Sequence, residues 1–553
     1  MRVVAHRAFV GTLACTAILF ATSTTGVASA SVTSAPHLTY RHTAPPSLVH
    51  MRDAHGSSRH STRSAPFLAP DRTIPATAPR RAATVPTRAS GTPAAGFPVM
   101  DLHRQETLYP TDQASQPPDT QLAAGPASLA EADNDTLSVW SKTGAFVASA
   151  DLNTFFSVPP TYDFSDPRVL YDLESARWFL TGMAFDKLHN SQNYIAVSET
   201  SDPTGTWDKY LLTTGAALVR DQPMTGVDTD KVVISWNDFS GSPPNTPTFS
   251  GQETYVLQKS DLLAGHGAQV AVFGPDTTRF RVVPALTLTS GTATEWLTYN
   301  EATCPSGCGP GITALGVVAI TGTPQAANVV WTESDPTFAA TSKPPGPRQP
   351  SGITVTDKLD DRFISAVWQN GSLWLSGNDA CMPAGDSSTR SCLRLVEVAT
   401  GLTPSIVHDF DVGSNGIDLY FPAVMVDPGG DLFVAYTKSS PGIYPTAAAA
   451  ISGAASPASF MTELILAAGQ TSYLFAPNNR WGDYSAAAPD PTDPSRIWVT
   501  AEYQASAADP ADWGTATAEL KLPIRNSVTQ ASGSTPPSGG PVNQVPTASP
   551  PPR

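Results

Sequence analysis

The chain has 553 residues, of which 33 are basic and 48 are acidic, so its formal net charge at pH 7 is −15. A negative charge of this size repels phosphate backbones and argues against nucleic acid as a partner. Beyond the first thirty residues no stretch is long and apolar enough to predict a membrane span.

Residues 1–30 have the features of a secretory signal peptide. Arg2 and Arg7 precede the apolar run "AFVGTLACTAILFA", and the stretch closes with the small residues Ala28-Ser29-Ala30. This order is typical of a signal that is cut after the last small residue. We therefore expect a secreted, extracellular protein whose mature chain begins at Ser31, with an uncleaved anchor as the alternative.

Two flanking segments are predicted to be disordered. Residues 31–96 are rich in Pro, Ser, Thr and Ala and carry eight Arg against two Asp, and residues 526–553 form a second tail rich in Pro, Ser and Gly. Neither segment offers enough apolar side chains to offset the entropy of ordering. The basic segment is expected to be a solvated tether, although it could instead bind an acidic surface or fold back on the body.

The body, residues 97–525, has 22 basic and 46 acidic residues and a net charge of −24. It is too long for one two-layer domain and has no obvious internal linker, which favours a repeat architecture. Seven segments combine a short strand of small and branched residues, a turn rich in Gly, Asp, Pro or Asn, and a strand with aromatic or β-branched residues. They start at Asp119, Asp166, Asp221, Val282, Asp360, Tyr420 and Trp481.

The spacing of these units predicts the fold class. Each interval leaves room for two further strands, and four antiparallel strands repeated around an axis make a β-propeller. We expect an all-β propeller with seven four-stranded blades, six or eight being the alternatives. The last unit lacks one strand, so residues near "AGFPVMDLH" are predicted to supply it and to close the ring.

Several stretches carry a family resemblance. "SDPRVLYDLESARWFLTGMAFD", "YIAVSETSDPTGTWDKYLL", "DQPMTGVDTDKVVIS" and "RWGDYSAAAPDPTDPSRIWVTAEY" resemble secreted bacterial β-propeller proteins, a largely uncharacterised group that is loosely sialidase-like. The resemblance covers roughly residues 115–521 and implies the fold rather than a reaction. "TSDPTGTW", Thr200–Trp207, is similar to the Asp-box turn of sialidase-type blades, which is a structural hairpin.

The cysteines indicate disulfides. With Cys15 in the signal, an even four remain, and exported chains tend to pair them. Among three connectivities, proximity favours Cys304 with Cys308 and Cys381 with Cys392. A zinc site is the alternative, but the spacings match no familiar Cys-x-x-Cys pair.

No metal or cofactor site is indicated, apart from a structural calcium ion that Asp228, Asp230 and Asp238 could ligate; their spacing fits a strand hairpin better than an EF-hand loop. The histidines of the body lie in no motif for nucleophilic catalysis.

Charged residues recur near the start of the innermost strands. Glycoside hydrolysis needs two carboxylates at a suitable separation, and the candidates are Asp166, Asp221, Asp360, Asp361 and Asp483, with Glu502 and Tyr503 on the next strand. The last two are similar to the Tyr/Glu nucleophile pair of sialidases. A ligand with a carboxylate or sulfate could be held by arginines, and the candidate ligand-binding residues are Arg168, Arg362, Arg480 and Trp481.

The alternative interpretation is structural: the aspartates cap turns, and each arginine pairs with an aspartate between blades. Because no full catalytic set appears, the sequence favours a secreted binding or scaffold propeller that recognises a glycan or protein ligand and acts as a monomer. The alternative function is a glycoside hydrolase or lyase acting on an extracellular glycan.

The signal peptide leads to a first prediction. Protein recovered from the culture medium of a secreting host should begin at Ser31, because the small-residue pattern ends at Ala30. N-terminal sequencing checks this, and an intact Met1 on secreted material would contradict it.

Overall fold

The computed structural model describes residues 34–55, 80–84, 96–109, 115–300, 315–356, 358–475 and 479–522. The predicted signal peptide, the tail from 526 to 553, and the pair Cys304 and Cys308 lie outside the described residues. Within those ranges, none of the helices has the length and apolar character needed to cross a membrane.

Short elements precede the repeats. They are β1 (Leu38–His42), β2 (Ser47–His50), a 3₁₀ turn (Met51–Asp53), β3 (Arg80–Arg81), β4 (Ala83–Thr84), β5 (Phe97–Asp101) and helix α1 (Leu102–Leu108).

The first half of the repeat region contains two four-stranded antiparallel units and most of a third. The elements are β6 (Gln121–Ala124), β7 (Ser128–Ala132), β8 (Thr136–Ser141), β9 (Phe146–Asp151), α2 (Leu152–Phe156), β10 (Tyr162–Asp172), β11 (Arg177–Asp186), β12 (Ser191–Ser198), β13 (Thr206–Gly215), β14 (Leu218–Val227), β15 (Lys231–Ser240), β16 (Thr248–Gln258) and α3 (Lys259–Leu263).

The second half continues the same pattern. Its strands are β17 (Gln269–Asp276), β18 (Val283–Pro284), β19 (Leu286–Thr287), β20 (Glu295–Tyr299), β21 (Gly316–Thr321), β22 (Val330–Ser334), β23 (Phe363–Gln369), β24 (Ser372–Met382), β25 (Arg390–Ala399), β26 (Ser405–Gly413), β27 (Asp418–Val426), β28 (Leu432–Ser440), β29 (Ile443–Ser452), β30 (Phe460–Ala467), β31 (Ala486–Pro489), β32 (Ile497–Gln504) and β33 (Trp513–Leu520).

The strands form an all-β propeller arrangement in which five blades stand as separate sheets. These are β6–β9, β10–β13 with β2, β18 with β20–β22, β27–β30, and β31–β33 with β5. The number differs from the predicted seven, because the remaining strands belong to one twelve-stranded sheet. In that sheet β14–β17 and β23–β26 are joined by the two-residue strand β19, which pairs in parallel with β14 and with β23.

The N-terminal residues complete the last sheet. Strand β5 pairs antiparallel with β33, so that Phe97 lies opposite Thr517 and Asp101 opposite Gly514. The prediction that residues near "AGFPVMDLH" supply the missing strand is confirmed. Strand β5 thus gives the last unit its fourth strand and connects the two ends of the repeat region.

The prediction of a disordered segment from 31 to 96 is wrong for Leu38–His42 and Ser47–His50. Strand β1 pairs antiparallel with β17, and β2 pairs antiparallel with β13. Most side chains of both strands are exposed, so composition gives little sign of order. The outer edges of the two sheets offer unpaired backbone groups, and the hydrogen bonds made there stabilise the added strands.

The chain then enters the core. Met51 is fully buried and packs, with Ala54, in the cluster that includes Phe155 and Trp207. Its amide donates to the Gly205 carbonyl at 3.0 Å. We name residues 34–55 the N-terminal arm.

Two local predictions from the sequence have clear structural counterparts. Cys381 and Cys392 form the predicted disulfide between β24 and β25, with their Cα atoms 5.8 Å apart. In the Asp-box-like turn, Asp202 Oδ1 accepts hydrogen bonds from the Thr204 amide and hydroxyl at 2.9 Å. Trp207 is buried beneath this turn and its indole donates to the Pro203 carbonyl at 3.0 Å.

Docking of the arm can be tested by mutation. Met51→Ala should destabilise the fold by about 2–5 kcal/mol, because it empties a fully buried site. The control Leu48→Ala, in the same arm but 65% exposed, should change stability by less than about 0.5 kcal/mol. Urea unfolding measures both, and equal midpoints for the two variants would show that the arm is not docked.

Candidate ligand site at the polar end of the channel

The innermost strands surround a narrow cavity of about 70 Å³ on the propeller axis. Its lining includes Gln121, Arg168, Met224, Val283, Ile364, Ala423 and Ala486. These residues belong to β6, β10, β14, β18, β23, β27 and β31, so both halves of the twelve-stranded sheet contribute to the same channel. The lining is mostly apolar, and Arg168 is its charged member.

The starts of the innermost strands share an unusual backbone conformation. A residue with positive φ occurs at Asp119, Asp166, Gln222, Arg281 and Phe421, with values between 49° and 54°. In β10, β14 and β27 a register shift accompanies it. Such bulges bend the strand and redirect its side chains. The repeated bulge therefore brings polar side chains from different sheets to one end of the channel.

Asparagine side chains bind the backbone at or next to these positions. The Oδ1 atoms of Asn134, Asn237 and Asn378 accept hydrogen bonds from the amides of Asp166, Arg281 and Phe421 at 2.7, 2.9 and 2.7 Å. Asn300 Oδ1 similarly accepts from the Phe363 amide at 3.2 Å. In every case the asparagine belongs to one repeat unit and the amide to the next.

The hairpin pattern of the repeats does not point to these asparagines, although the sequence marks them in another way. Each is followed by an acidic residue, as in Asn134-Asp135, Asn237-Asp238, Asn300-Glu301 and Asn378-Asp379. This dipeptide recurs at or just after the second strand of its unit.

A buried ion pair lies at the centre of the polar end. Arg480 makes a bidentate pair with Asp483, with N–O distances of 2.7 and 3.0 Å. Asp483 also accepts from Gln222 Nε2 at 3.2 Å, and its amide donates to Asp119 Oδ1 at 2.6 Å. Asn134 Nδ2 donates to the other oxygen of Asp119 at 2.8 Å. This network connects the last sheet to the first.

Two further arginines lie in the cluster and have no direct ionic partner among the residues that the structure describes. Arg168 and Arg281 are 7% and 4% exposed. The Arg168 guanidinium lies 3.8 Å from the centroid of the Tyr484 ring, and its Nε donates to the Pro223 carbonyl at 3.3 Å. Arg281 donates to the Gln222 side chain, whereas its Nε has no partner in the described part of the chain.

Among the described residues no carboxylate oxygen lies within 4.0 Å of the Arg168 or Arg281 guanidinium nitrogens. Burial lowers the pKa of Arg168, and the nearby charge of Arg281 lowers it further. Two buried cations close together are therefore only partly neutralised by the surrounding carboxyl groups.

Burial has the opposite effect on most of the carboxyl groups. It raises the pKa of Asp166 to about 7 and that of Asp119 to about 6, with a further contribution from Asp483 to both. Asp221 is shifted well above its usual pKa by burial and by Asp166. For Asp483, burial raises the pKa, but Arg480 outweighs it and the net shift is downward. The cluster thus combines carboxyl groups that hold their protons more tightly than usual with one carboxyl, Asp483, that releases its proton more readily.

Other predicted site residues lie at the edge of this cluster. Arg362 is 1% exposed, pairs with Asp360 and lies 4.6 Å from the Phe280 ring centroid. Asp361 Oδ2 accepts from the Thr341 hydroxyl at 2.8 Å.

Two predicted residues are placed elsewhere. Trp481 is fully buried, with its ring centroid 4.8 Å from that of Tyr473, and is a core residue. Tyr503 packs in a hydrophobic core cluster, whereas Glu502 accepts from the Gly482 amide at 2.8 Å. Because successive residues of a strand point to opposite faces, Glu502 and Tyr503 do not form the predicted pair.

The residues suggested for calcium are also separated. Asp228 and Asp230 both pair with Lys231 at the start of β15. Asp238 lies near the other end of β15, where its Oδ1 atom is 3.6 Å from Arg220 Nε. The described ranges contain no group of three or more acidic, histidine or cysteine residues placed to hold a metal ion.

Similarity to known proteins is found with solved structures. No family model matches the chain, and no curated protein matches it. A solved protein of unknown function from Dyadobacter fermentans DSM 18053 is 13% identical, with a TM-score of 0.34 over 65% of this chain and 95% of that one.

Two further solved structures have the same TM-score of 0.34. Trypanosoma rangeli sialidase in complex with sialic acid is 9% identical over 70% of this chain and 57% of that one. The GH93 α-L-arabinofuranosidase of Fusarium graminearum with arabinobiose is 9% identical over 73% of this chain and 92% of that one. At these values the comparisons assign no activity, so the function is argued from the site.

The buried carboxyls predict a specific pH dependence of stability. Folding raises the pKa of Asp119 to about 6 and of Glu131, Asp135 and Asp166 to about 7. Their contribution to stability is complete below their ordinary pKa of about 4 and is lost as the pH rises through these values. The melting temperature should therefore be higher at about pH 5 than at about pH 8.

Asp166→Asn should reduce this difference, because the amide imitates the protonated acid and does not titrate. Thermal melts of both proteins across the range measure it. A wild-type melting temperature that rises between pH 5 and pH 8 would contradict the prediction.

Proposed function

We propose that this chain is a secreted, extracellular β-propeller that binds an anionic glycan at the polar end of its channel. One observation carries the proposal: Arg168, which lines the channel, and Arg281 near it are buried with no carboxylate within ion-pairing distance among the described residues. Burying an unpaired cation is costly. A carboxylate or sulfate on the ligand would supply the missing partner through charge-assisted, bidentate hydrogen bonds.

The neighbouring carboxyls suit the rest of a sugar. Asp166 and Asp221 have raised pKa values, so each can carry a proton at neutral pH and donate a hydrogen bond to a ring or hydroxyl oxygen. Asp221 Oδ2 has no partner in the described part of the chain. A polar group that is buried and unsatisfied is available to a ligand.

Secretion is part of the proposal. It is supported by the features of residues 1–30 and by the disulfide between Cys381 and Cys392, which is typical of exported proteins. We also propose that the protein acts as a monomer.

The number of blades is also part of the proposal. We propose seven, with the twelve-stranded sheet counted as two, because β14 and β23 each line the channel as the first strand of an antiparallel four-stranded run. On this interpretation β19 is a link between two blades rather than part of either.

A glycoside hydrolase is the second candidate, and the interaction between the Asp166 and Asp221 carboxyls favours it. The charge of Asp166 contributes to the raised pKa of Asp221, and two interacting carboxyls with different pKa values can divide the roles of acid and base. Asp166→Asn and Asp221→Asn should then abolish turnover of a bound glycan. If the protein only binds, these variants should retain affinity and no wild-type turnover should be seen.

The proposed binding site leads to a mutational prediction. Arg168→Ala and Arg281→Ala should each weaken binding of a sulfated or carboxylated oligosaccharide by about 1.5–3 kcal/mol, which is about 10- to 150-fold. Arg496→Ala is the matched control, because this arginine is exposed and pairs with Asp493 and Glu519. Titration calorimetry beside a thermal melt measures both properties.

The structural alternative gives the reverse result. If the arginines only connect neighbouring sheets, Arg168→Ala and Arg281→Ala should lower the melting temperature and leave glycan affinity equal to that of Arg496→Ala.

A further inference from the structure

Each of the seven repeat units contributes one side chain to a ring around the channel cavity. In five units the residue lies two positions after the one with positive φ, and Ser365 and Ser485 are the lining residues of the other two. The ring consists of Gln121, Arg168, Met224, Val283, Ser365, Ala423 and Ser485, which we name the channel ring. It combines one charged side chain with three polar and three apolar ones.

The Arg168 side chain contacts two other repeat units. Its Nε donates to the Pro223 carbonyl at 3.3 Å, and its Nη2 lies 2.8 Å from Met224 Sδ, both at the bulge of β14. Its guanidinium also lies 3.8 Å from the centroid of the Tyr484 ring, and Tyr484 directly precedes Ser485 of the channel ring. These contacts, to units on either side of β6 and β10, bring the positive charge to the channel.

The groups around this guanidinium leave its charge without a close anion. A carbonyl oxygen and a thioether sulfur are neutral acceptors, and no carboxylate of the described residues lies within 4.0 Å. Burial lowers the pKa of Arg168, and the nearby charge of Arg281 lowers it further. A buried cation with only neutral acceptors is costly, so an anion beside Arg168 would stabilise the fold.

Two hydroxyls of the channel ring have protons to donate to such an anion. Ser485 Oγ is buried and has no hydrogen-bond partner among the described residues. Ser365 Oγ accepts from the Val424 amide at 3.4 Å, and the described part of the chain offers no acceptor for its own proton. Because a hydroxyl hydrogen rotates to suit its acceptor, both serines can turn toward an ion in the cavity.

The size and lining of the cavity restrict the anion. The cavity measures about 70 Å³. A water molecule occupies about 30 Å³ of liquid, whereas pockets for organic ligands measure about 300–1,000 Å³. A monatomic ion with one water therefore fits, and a sugar ring does not. The apolar members Met224, Val283 and Ala423 favour a weakly hydrated ion, because they cannot replace the hydrogen bonds of a lost hydration shell.

We propose that the channel cavity is a halide site, in which chloride binds beside the Arg168 guanidinium and accepts hydrogen bonds from Ser365 and Ser485. Chloride is monatomic and monovalent, and it gives up its water more easily than fluoride does. It would neutralise the buried charge and connect three repeat units across the axis. This role needs no glycan, so the site goes beyond the proposed function.

Thermal melts in different sodium halides test the site. Fluoride, chloride and bromide are compared at equal concentration, so that the ionic strength is constant. The melting temperature in chloride or bromide should exceed that in fluoride by about 1–3 °C, because a ligand that binds only the folded state stabilises it. General salt effects favour the opposite order, since strongly hydrated anions are excluded from protein surfaces. A wild-type protein that is most stable in fluoride would overturn the proposal.

Two variants assign the effect to the cavity. Arg168→Ala should remove the advantage of chloride over fluoride, and Ser485→Ala should raise the chloride concentration at half-effect about tenfold. Ser456→Ala is the matched control, because this serine is exposed and its hydroxyl donates to the Ala455 carbonyl at 2.8 Å. Should Arg168→Ala fail to fold, Ser485→Ala still decides: a chloride dependence equal to that of Ser456→Ala would contradict the site.

Bromide locates the ion directly. In crystals that contain sodium bromide, an anomalous difference peak should lie in the cavity, in contact with the Arg168 guanidinium and the Ser485 hydroxyl. Water in the cavity with no anomalous signal would overturn the proposal.

A competition experiment separates this proposal from the proposed function, on which it rests. Chloride and the anionic group of a glycan would both pair with Arg168. At a chloride concentration of about ten times its Kd, binding of a chondroitin sulfate hexasaccharide should be about tenfold weaker than in fluoride. Equal affinity in both salts, with bromide present in the cavity, would show that the glycan does not use Arg168, so the proposed function would be wrong and the halide site would stand. Probe binding without any halide effect on melting would leave the function standing and overturn the halide site.

Discussion

The hydrogen bond from an asparagine of one repeat unit to a backbone amide of the next is the interaction on which this propeller depends. Asn134, Asn237 and Asn378 each make it across a boundary between sheets. The bond fixes the residue at or beside the bulge, and the bulge decides which side chains turn toward the axis. Hydrophobic packing alone would hold the sheets together, but it would not fix the backbone amides of Asp166 and Arg281 to the neighbouring sheet.

The buried arginines of the charged cluster differ in the groups that they bind. Arg480 and Asp483 form a buried ion pair between residues three positions apart, and not the pair between blades that the alternative interpretation of the sequence expects. Arg168 and Arg281 lie within the same cluster but bind carbonyl, sulfur and amide groups instead. Arginines at similar positions of the repeat therefore differ in their partners: Arg480 has a carboxylate, whereas Arg168 and Arg281 have none within 4.0 Å among the described residues.

The sequence predicts the parts of this fold that are repeated. The alternation of residues and the turn residues predict the hairpins and the propeller class, and the strand missing from the last unit predicts the closing strand β5. The proximity of Cys381 and Cys392 in the sequence predicts their disulfide. The N-terminal arm was missed because its strands are held by backbone bonds, which leave no apolar pattern. Glu502 and Tyr503 are adjacent in β32, and adjacent residues of a strand point to opposite faces, so their neighbourhood in the sequence does not imply a shared site. The sequence does not predict Arg281 as a site residue, because it lies one residue before Val282, where its repeat unit begins.

Closure by β5 also constrains the order in which the chain can fold. The Met100 amide bonds the Thr515 hydroxyl, a residue 415 positions away, so the ring cannot shut until the last repeat has been made. A contact this distant in sequence forms late. During synthesis from the N-terminus, β1, β2 and β5 are made first. Each of these strands can pair only after its partner strand has been made. The earliest residues to arrive are among the last to become native, and in the interval the edges of β13, β17 and β33 are open to any extended chain nearby.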